Sequence, residues 1–442
     1  MFRRLKNLSH KRKIILAALL LFALFTRNLW MGPAAKVLAF KPTILKSDIS
    51  SAMAESNLSH ELPSQLVLDL KGRIEKVQVQ YTFDETLQSE MDELFHTYKP
   101  DYGAFVAIDA NTGRILALVS YNAEDPWIKD HLALRATFPS ASVFKVVTAA
   151  AAISERKMSA GTILSYNGRP HTLYRKNIFS DTVNRWTNRL TLKEAFAKSV
   201  NTVFGRLGVY IVGPTELRDY ADRFGFNRDI GSDLPFQQGK AEITEDPWEI
   251  AETASGYTLT NTMSPLQGAL IGAAVANDGK MMEPYVVESL RDEDGDIVYQ
   301  SKPHLSMDVF DLNTANELKE LMRETVRAGT SRTSFKNFGR GSYSFVDVGG
   351  KTGSLTGKDP SGKYDWFVGY GTAGEHKLAF ATLTISKEYW KVKSAVLSRK
   401  ALEIYFKEKF GLHTVAERRI ASGRKKKNVA VRKYKTVRKR RR

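Results

Sequence analysis

Ser142 is followed three residues later by Lys145, in the segment Ser142-Val143-Phe144-Lys145. On a helix this spacing puts the two side chains on one face, one turn apart. A serine hydroxyl is a poor nucleophile until a base takes its proton. Lysine is such a base only when its amine is neutral near pH 7, and burial and a neighbouring cation both favour that form. Val143, Phe144, Val146 and Val147 supply apolar surroundings, and Lys351 is a candidate for the neighbouring cation. A nucleophile at a helix start also gains from aligned backbone N–H groups, which favour developing negative charge. Ser199-Val200-Asn201 adds a hydroxyl that can relay a proton and an amide that can donate and accept. Lys351-Thr352-Gly353-Ser354 adds a cation and a hydroxyl suited to a carboxylate. Its glycine would let an extended substrate lie close to a strand.

Each piece has a plainer reading when taken alone. Ser142 and Lys145 could be a surface pair or an N-cap, Asn201 a turn residue, and Gly353 the mark of a bulge. The S-x-x-K spacing also occurs at Ser154 to Lys157 and at Ser422 to Lys425, and S-x-N recurs at Ser165-Tyr166-Asn167. K-T-G occurs once, at Lys351. The order of Ser142, Ser199 and Lys351 along one chain is what separates this set from the chance matches.

These residues need a domain to hold them. The chain has 442 residues and is 43% hydrophobic, which is enough for a substantial core. It has no cysteine, so neither a disulfide nor a thiolate metal site is available. No helical pair of histidines suggests zinc, and no metal or cofactor is expected. The net charge of +18 sits at the two ends. Residues 418–442 hold fourteen bases and no acid, and residues 1–13 hold six more, leaving 46 bases against 48 acids between them.

The first 13 residues read as a basic cytoplasmic leader, and residues 14–31 as a transmembrane signal-anchor with Arg27 reaching outward and Trp30 at the interface. A signal peptide cleaved after Val37-Leu38-Ala39 is the alternative. Either reading exports the rest of the chain to the periplasm or the extracytoplasmic space. Residues 32–76 read as a juxtamembrane linker with some helix, and 413–442 as a disordered basic tail. Outside the cell that tail is expected to meet anionic wall polymer or lipid headgroups, with no nucleic acid as partner.

Between them, periodicity predicts a helix over 84–98 and strands over 103–109 and 114–120. Helices follow over 142–154, 192–210, 214–224, 265–277 and 314–328. Strands return over 345–355, 366–372 and 377–386, with a hairpin loop over 356–363 and a last helix over 392–410. Strands at both ends with helices between predict an α+β domain, its two ends completing one antiparallel sheet.

The stretch from 77 to 412 resembles the transpeptidase domain of penicillin-binding proteins, a monofunctional, class B-like one with a reduced or absent pedestal. The likeness rests on the three motifs and on their surroundings. Residues 104–117 are similar to the family's opening hairpin, and Phe138-Pro139-Ser140-Ala141 leads into the nucleophile segment. Residues 192–204 frame the second motif, Met263-Ser264-Pro265-Leu266-Gln267 is similar to a later helix, and Asp365-Trp366-Phe367-Val368-Gly369 follows the third. The resemblance implies a penicillin-binding / serine β-lactamase-like fold and a peptidoglycan D,D-transpeptidase. Ser142 would attack the carbonyl between the terminal D-alanines of a stem peptide, with Lys145 as base. Ser199 would pass the proton to the departing D-alanine, and Asn201 would hold the substrate amide. Lys351 and Thr352 would bind the terminal carboxylate beside Gly353, and the backbone N–H groups of Ser142 and Ser354 would form the oxyanion hole. A β-lactam would be trapped at Ser142, and a membrane glycosyltransferase is the implied partner. Ser354 stands where the family usually has threonine. A D,D-carboxypeptidase or a serine β-lactamase on the same scaffold, and a non-catalytic β-lactam sensor, are the alternatives.

Overall fold

The computed structural model describes residues 43–56, 62–124 and 131–412. The basic leader, the apolar run proposed as an anchor and the basic tail lie outside the described residues. Among the described residues no helix is long and apolar enough to cross a membrane.

The sheet at the centre is built from both ends of the domain, as strands at both ends with helices between predict. Strands β3 (Tyr102–Asp109) and β4 (Ile115–Asn122) form the opening hairpin. Late in the chain come β7 (Asp347–Lys358), β8 (Ser361–Ala373) and β9 (His376–Ser386). All pairings are antiparallel, in the order β7-β8-β9-β3-β4. β3 and β9 are almost wholly buried, which a strand covered on both faces requires. β7 is the edge strand and carries Lys351-Thr352-Gly353.

Helices cover both faces of this sheet. On one side, α2 (Glu85–Tyr98) and α8 (Ser394–Lys409) share a core with the strands, including Phe95, Phe105, Phe380, Leu402 and Phe406. On the other side lies α7 (Pro265–Ala276), every residue of which is buried. Small residues let it sit tightly: a Cβ on Gly272 would meet the Gly369 carbonyl oxygen at 2.6 Å. Ser264 caps its start, accepting from the Gln267 N–H at 3.1 Å, and Pro265 fills the first turn.

The helical middle differs from expectation in one important place. The helix predicted over 192–210 is broken into α4 (Leu192–Ala197), α5 (Asn201–Arg206) and a wider π turn over Leu207–Val212. Thr191 and Glu194 form a reciprocal capping box at the start of α4. At its end the chain turns left-handed at Ser199, with φ +55°. The Ser199 N–H reaches the Phe196 carbonyl at 3.0 Å and the Val200 N–H reaches Ala195 at 2.9 Å, closing a Schellman turn. A non-glycine residue in this conformation costs about 1 kcal/mol or more, so packing rather than propensity enforces the break.

The segment expected as a linker holds regular structure in its described part. Helix α1 (Lys46–Glu55) packs beside β1 (Gln65–Asp69), which pairs with β2 (Ile74–Tyr81). β2 in turn pairs with β5 (Val287–Arg291), and β6 (Ile297–Gln300) completes a second small sheet. The boundary expected at residue 77 therefore falls inside a strand. Its alternation is blurred because the inner face of Glu75, Val77, Val79 and Tyr81 is only partly buried, Val77 alone fully, while apolar Ile74 lies on the exposed face.

Candidate active site

Ser142 lies in a 3-10 turn, Ala141–Phe144, that leads into α3 (Lys145–Arg156). Ala141 holds φ +48°, a second left-handed non-glycine beside the chemistry. Lys145 is thus the first residue of α3, and its amine stands 2.8 Å from Ser142 Oγ. Nine consecutive residues of α3, from Lys145 to Ile153, are buried, so the amine is held away from water with no freedom to swing out.

Two further partners fix that amine. Asn201 Oδ1 accepts from it at 2.8 Å, and the carbonyl oxygen of Ser255 accepts at 2.5 Å. Ser255 is the last residue of α6 (Pro247–Ser255), where backbone carbonyls lack partners within the helix. Gly256 ends α6 in the left-handed region at φ +66°. A Cβ on Gly256 would collide with the Ala141 carbonyl and come 3.1 Å from the Ser142 nitrogen. The end of α6 is therefore pressed against the nucleophile turn.

Asn201 begins α5. Its side-chain amide donates to the His171 carbonyl at 3.1 Å, which orients Oδ1 toward Lys145. Two residues earlier, Ser199 accepts from Lys351 Nζ at 3.1 Å. The Lys351 amine also donates to the Thr352 carbonyl at 2.8 Å. Of the residues the sequence proposes as one group, Lys145 gathers Ser142 and Asn201 and Lys351 gathers Ser199, with Ser199 and Asn201 only two residues apart.

Both lysines are fully buried, at 0% exposure, and neither pairs with a carboxylate among the described residues. Their charged forms are disfavoured. Burial first, and then the positive charge of Lys351, hold the Lys145 amine well below the usual lysine range. Burial pushes Lys351 down to about 7. The faces of Phe204 and Phe196 lie 5.7 Å from Lys145 Nζ and 5.5 Å from Lys351 Nζ, giving each some compensation when charged. Both amines are thus shifted toward their neutral forms, and that of Lys145 stands beside a hydroxyl.

The third motif runs along β7 in unbroken register with β8, so Gly353 marks no bulge. A Cβ there would meet Val143 Cγ2 at 3.2 Å and the Ser140 carbonyl at 3.3 Å. Glycine at 353 lets the strand sit flush against the nucleophile turn. Thr352 Oγ1 lies 2.6 Å from Thr330 Oγ1. Ser354 pairs across the sheet with Asp365, and its hydroxyl donates to Asp365 Oδ1 at 3.3 Å. The Trp366 indole N–H donates to the Pro139 carbonyl at 2.9 Å, tying β8 to the chain just before the nucleophile.

Ser255, Gly256 and Thr330 have no place in the motifs read from the sequence. A backbone carbonyl has no residue-type signature, and Gly256 reads simply as a helix end. A threonine in a loop reads as nothing in particular until its partner is known.

The sequence profile of the penicillin binding protein transpeptidase domain matches residues 103–402. The peptidoglycan D,D-transpeptidase PbpA of Mycolicibacterium smegmatis is 28% identical over 339 residues, covering 70% of this chain and 65% of that protein. The protein of the same name from Mycobacterium tuberculosis is 30% identical over 328 residues, covering 65% of this chain and 62% of the relative. The chain thus spans just under two thirds of the length of these curated relatives. Among solved structures, the D,D-transpeptidase domain of a peptidoglycan glycosyltransferase from Eggerthella lenta superposes with a TM-score of 0.63 at 26% identity, covering 78% of this chain and 86% of that one. The imipenem acyl-enzyme complex of penicillin-binding protein A from M. tuberculosis gives 0.62 at 25%, covering 74% and 80%.

Proposed function

The chain belongs to the penicillin-binding protein transpeptidase domain family, and on that premise we propose that it is a serine D,D-transpeptidase that cross-links peptidoglycan stem peptides and is acylated by β-lactams. The observation that carries this reading is the fully buried Lys145 amine, 2.8 Å from Ser142 Oγ and beside Lys351. A neutral amine at that distance can take the serine proton.

In this reading the donor's terminal carboxylate rests on Lys351 and Thr352. Ser142 Oγ attacks the carbonyl between the two D-alanines as its proton passes to Lys145. The oxyanion that forms is met by the backbone N–H groups of Ser142 and Ser354. Asn201 holds the adjacent substrate amide. The C–N bond breaks as the proton is handed, through Ser199, to the departing D-alanine amine. An acceptor amine then attacks the Ser142 ester, loses its proton by the reverse route, and Ser142 leaves as a hydroxyl. Ala141 and Ser199, both left-handed without glycine, are strained positions that support a preorganised site.

The surrounding arrangement is part of the same proposal. The basic leader and the apolar run after it suit a single-pass anchor in the cytoplasmic membrane, with the catalytic domain extracytoplasmic. A membrane glycosyltransferase is the partner that would supply strands to cross-link. The basic tail is suited to anionic wall polymer or lipid, in a salt-sensitive way. Carbonate extraction followed by intact mass tests the anchor, and a soluble product beginning near Phe40 would refute it.

Fluorescent penicillin tests the chemistry. The adduct should map to Ser142, be absent from Ser142→Ala, and form far more slowly in Lys145→Ala, with both variants folded. Folded wild-type protein that forms no adduct would sink the enzymatic reading. Release of the adduct within seconds, with repeated turnover, would replace it by a β-lactamase.

A further inference from the structure

Upstream of Lys351, the edge strand β7 adjoins a cavity of about 800 Å³ that the mechanism leaves unused. Arg323, Arg327, Arg332, Lys336 and Arg340 line it, and no acid does. Two of these cations are engaged: Arg323 holds Asp347 through two contacts of 2.7 Å, and Arg327 holds Glu324 at 2.6 Å. The side chains of Arg332, Lys336 and Arg340 are exposed and make no ion pair among the described residues. Beneath them the lining is apolar, with Phe335 and Val348 in the core that backs the sheet. A groove with a cationic rim and an apolar floor suits a flexible anion with carbon between its charges.

Its position says which anion. Val348 lies four residues before Thr352 on the same face of β7, about 13 Å along a strand. The segment that carries the three exposed cations begins beside Thr330, whose hydroxyl touches Thr352. With the donor's terminal carboxylate on Lys351 and Thr352, the leaving amino acid departs from this side of the carbonyl. An amine that reverses the step must arrive where the leaving amine stood, because it needs the same proton route through Ser199. The rest of that acceptor then extends past Thr352 and Thr330, onto the groove.

We propose that this basic groove is the acceptor subsite, and that it selects an amine-bearing peptide carrying free carboxylates. The inference rests on the transpeptidase reading. Exposed charges of this kind act through steering and modest pairwise attraction, so their effect belongs in acceptor capture and not in acylation.

The test uses the full chain, a synthetic donor ending in D-Ala-D-Ala, and two acceptors: an acidic amine-bearing peptide and the same peptide with its carboxylates amidated. The triple variant Arg332→Ala, Lys336→Ala, Arg340→Ala should acylate with fluorescent penicillin within about twofold of wild type. Its KM for the acidic acceptor should rise about tenfold, with no change for the amidated one. The single variant Lys336→Ala, which removes one exposed side chain, should move the same constant by about two- to threefold. High salt should erase the wild-type preference for the acidic acceptor. An unchanged acceptor KM with normal acylation would overturn the groove while leaving the enzyme reading intact. Loss of binding to anionic lipid vesicles with an unchanged acceptor KM would reassign the groove to a lipid surface and overturn the proposal. Wild-type protein that acylates yet transfers to no amine would overturn the transpeptidase reading and the groove with it.

Discussion

Lys145 Nζ lies 2.8 Å from Asn201 Oδ1, which joins the first residue of α3 to the first residue of α5 across 56 positions of chain. The amide accepts from the amine without adding charge, so it orients Lys145 and leaves its proton affinity low. Asn201→Asp would place a carboxylate at the same point. A negative neighbour favours the ammonium and raises the lysine pKa, disabling the base near neutrality. We expect folded protein whose acylation by penicillin at pH 7 falls at least about a hundredfold and recovers as the pH is raised. A variant that acylates at the wild-type rate would show that Lys145 is not the base.

The two lysines predict a bell-shaped pH profile for acylation. Lys145 must be neutral to take the proton, so the rate falls as pH drops through its depressed pKa. Lys351 must be charged to hold a carboxylate, so the second-order rate falls again as pH rises past about 7. Because the amines interact, the two limbs belong to the pair. Lys351→Met removes the positive neighbour, which raises the Lys145 pKa and moves the acidic limb upward. Stopped-flow acylation across pH 5 to 9 measures both limbs, and an acidic limb unmoved in Lys351→Met would break the argument.

Gly256 tests the packing of α6 against the nucleophile turn. Its φ of +66° and the collision of any Cβ with the Ala141 carbonyl leave no room for alanine. Gly256→Ala should lower stability by about 1–3 kcal/mol through strain and overpacking. It should also slow acylation disproportionately, because Ala141, Ser142 and the Ser255 carbonyl move together. Denaturant melts and adduct formation on the same sample separate the two effects. Normal acylation in a merely destabilised variant would argue that the contact is structural only.

Asp233 offers a stability prediction far from the nucleophile. It is fully buried and accepts from the Val286 N–H at 2.9 Å and the Val287 N–H at 2.8 Å, which anchors the start of β5. Burial lifts its carboxyl to about 6. Between roughly pH 4 and 6 the folded protein therefore keeps a proton that the unfolded chain has released. The stability this group contributes is greatest below pH 4 and declines as pH rises through 6. Asp233→Asn should flatten that decline, and it should cost about 1–3 kcal/mol because its NH2 end would face a backbone donor. Urea melts at pH 4.5 and 7 measure the slope, and an identical slope in the variant would assign it to other groups.

What the sequence determined by itself was local. Ser142 and Lys145 are three residues apart, so one helical turn brings them together whatever the rest of the chain does. Strand patterns over 103–109, 114–120, 345–355, 366–372 and 377–386, at both ends of a helical middle, specified one sheet, though the hairpin read as a loop over 356–363 is strand up to Lys358 and again from Ser361. Tertiary structure decided what those residues can do. Burial depresses the lysine pKa values, and burial is a property of segments packed together. Lys351 reaches Ser199 across 152 positions, and the Ser255 carbonyl reaches Lys145 across 110. A carbonyl is present in every residue, so no residue type announces it. The left-handed turn at Ser199 runs against local preference, which reads 192–210 as one helix; packing imposed the break. The strands over 65–81 were hidden too: apolar Val67 and Ile74 sit on the exposed faces, the inner face of 74–81 is only partly buried, and the sheet they join is completed by residues more than 200 positions away. Periodicity reports only on a chain's own neighbourhood, and this site is assembled from five separated stretches of it.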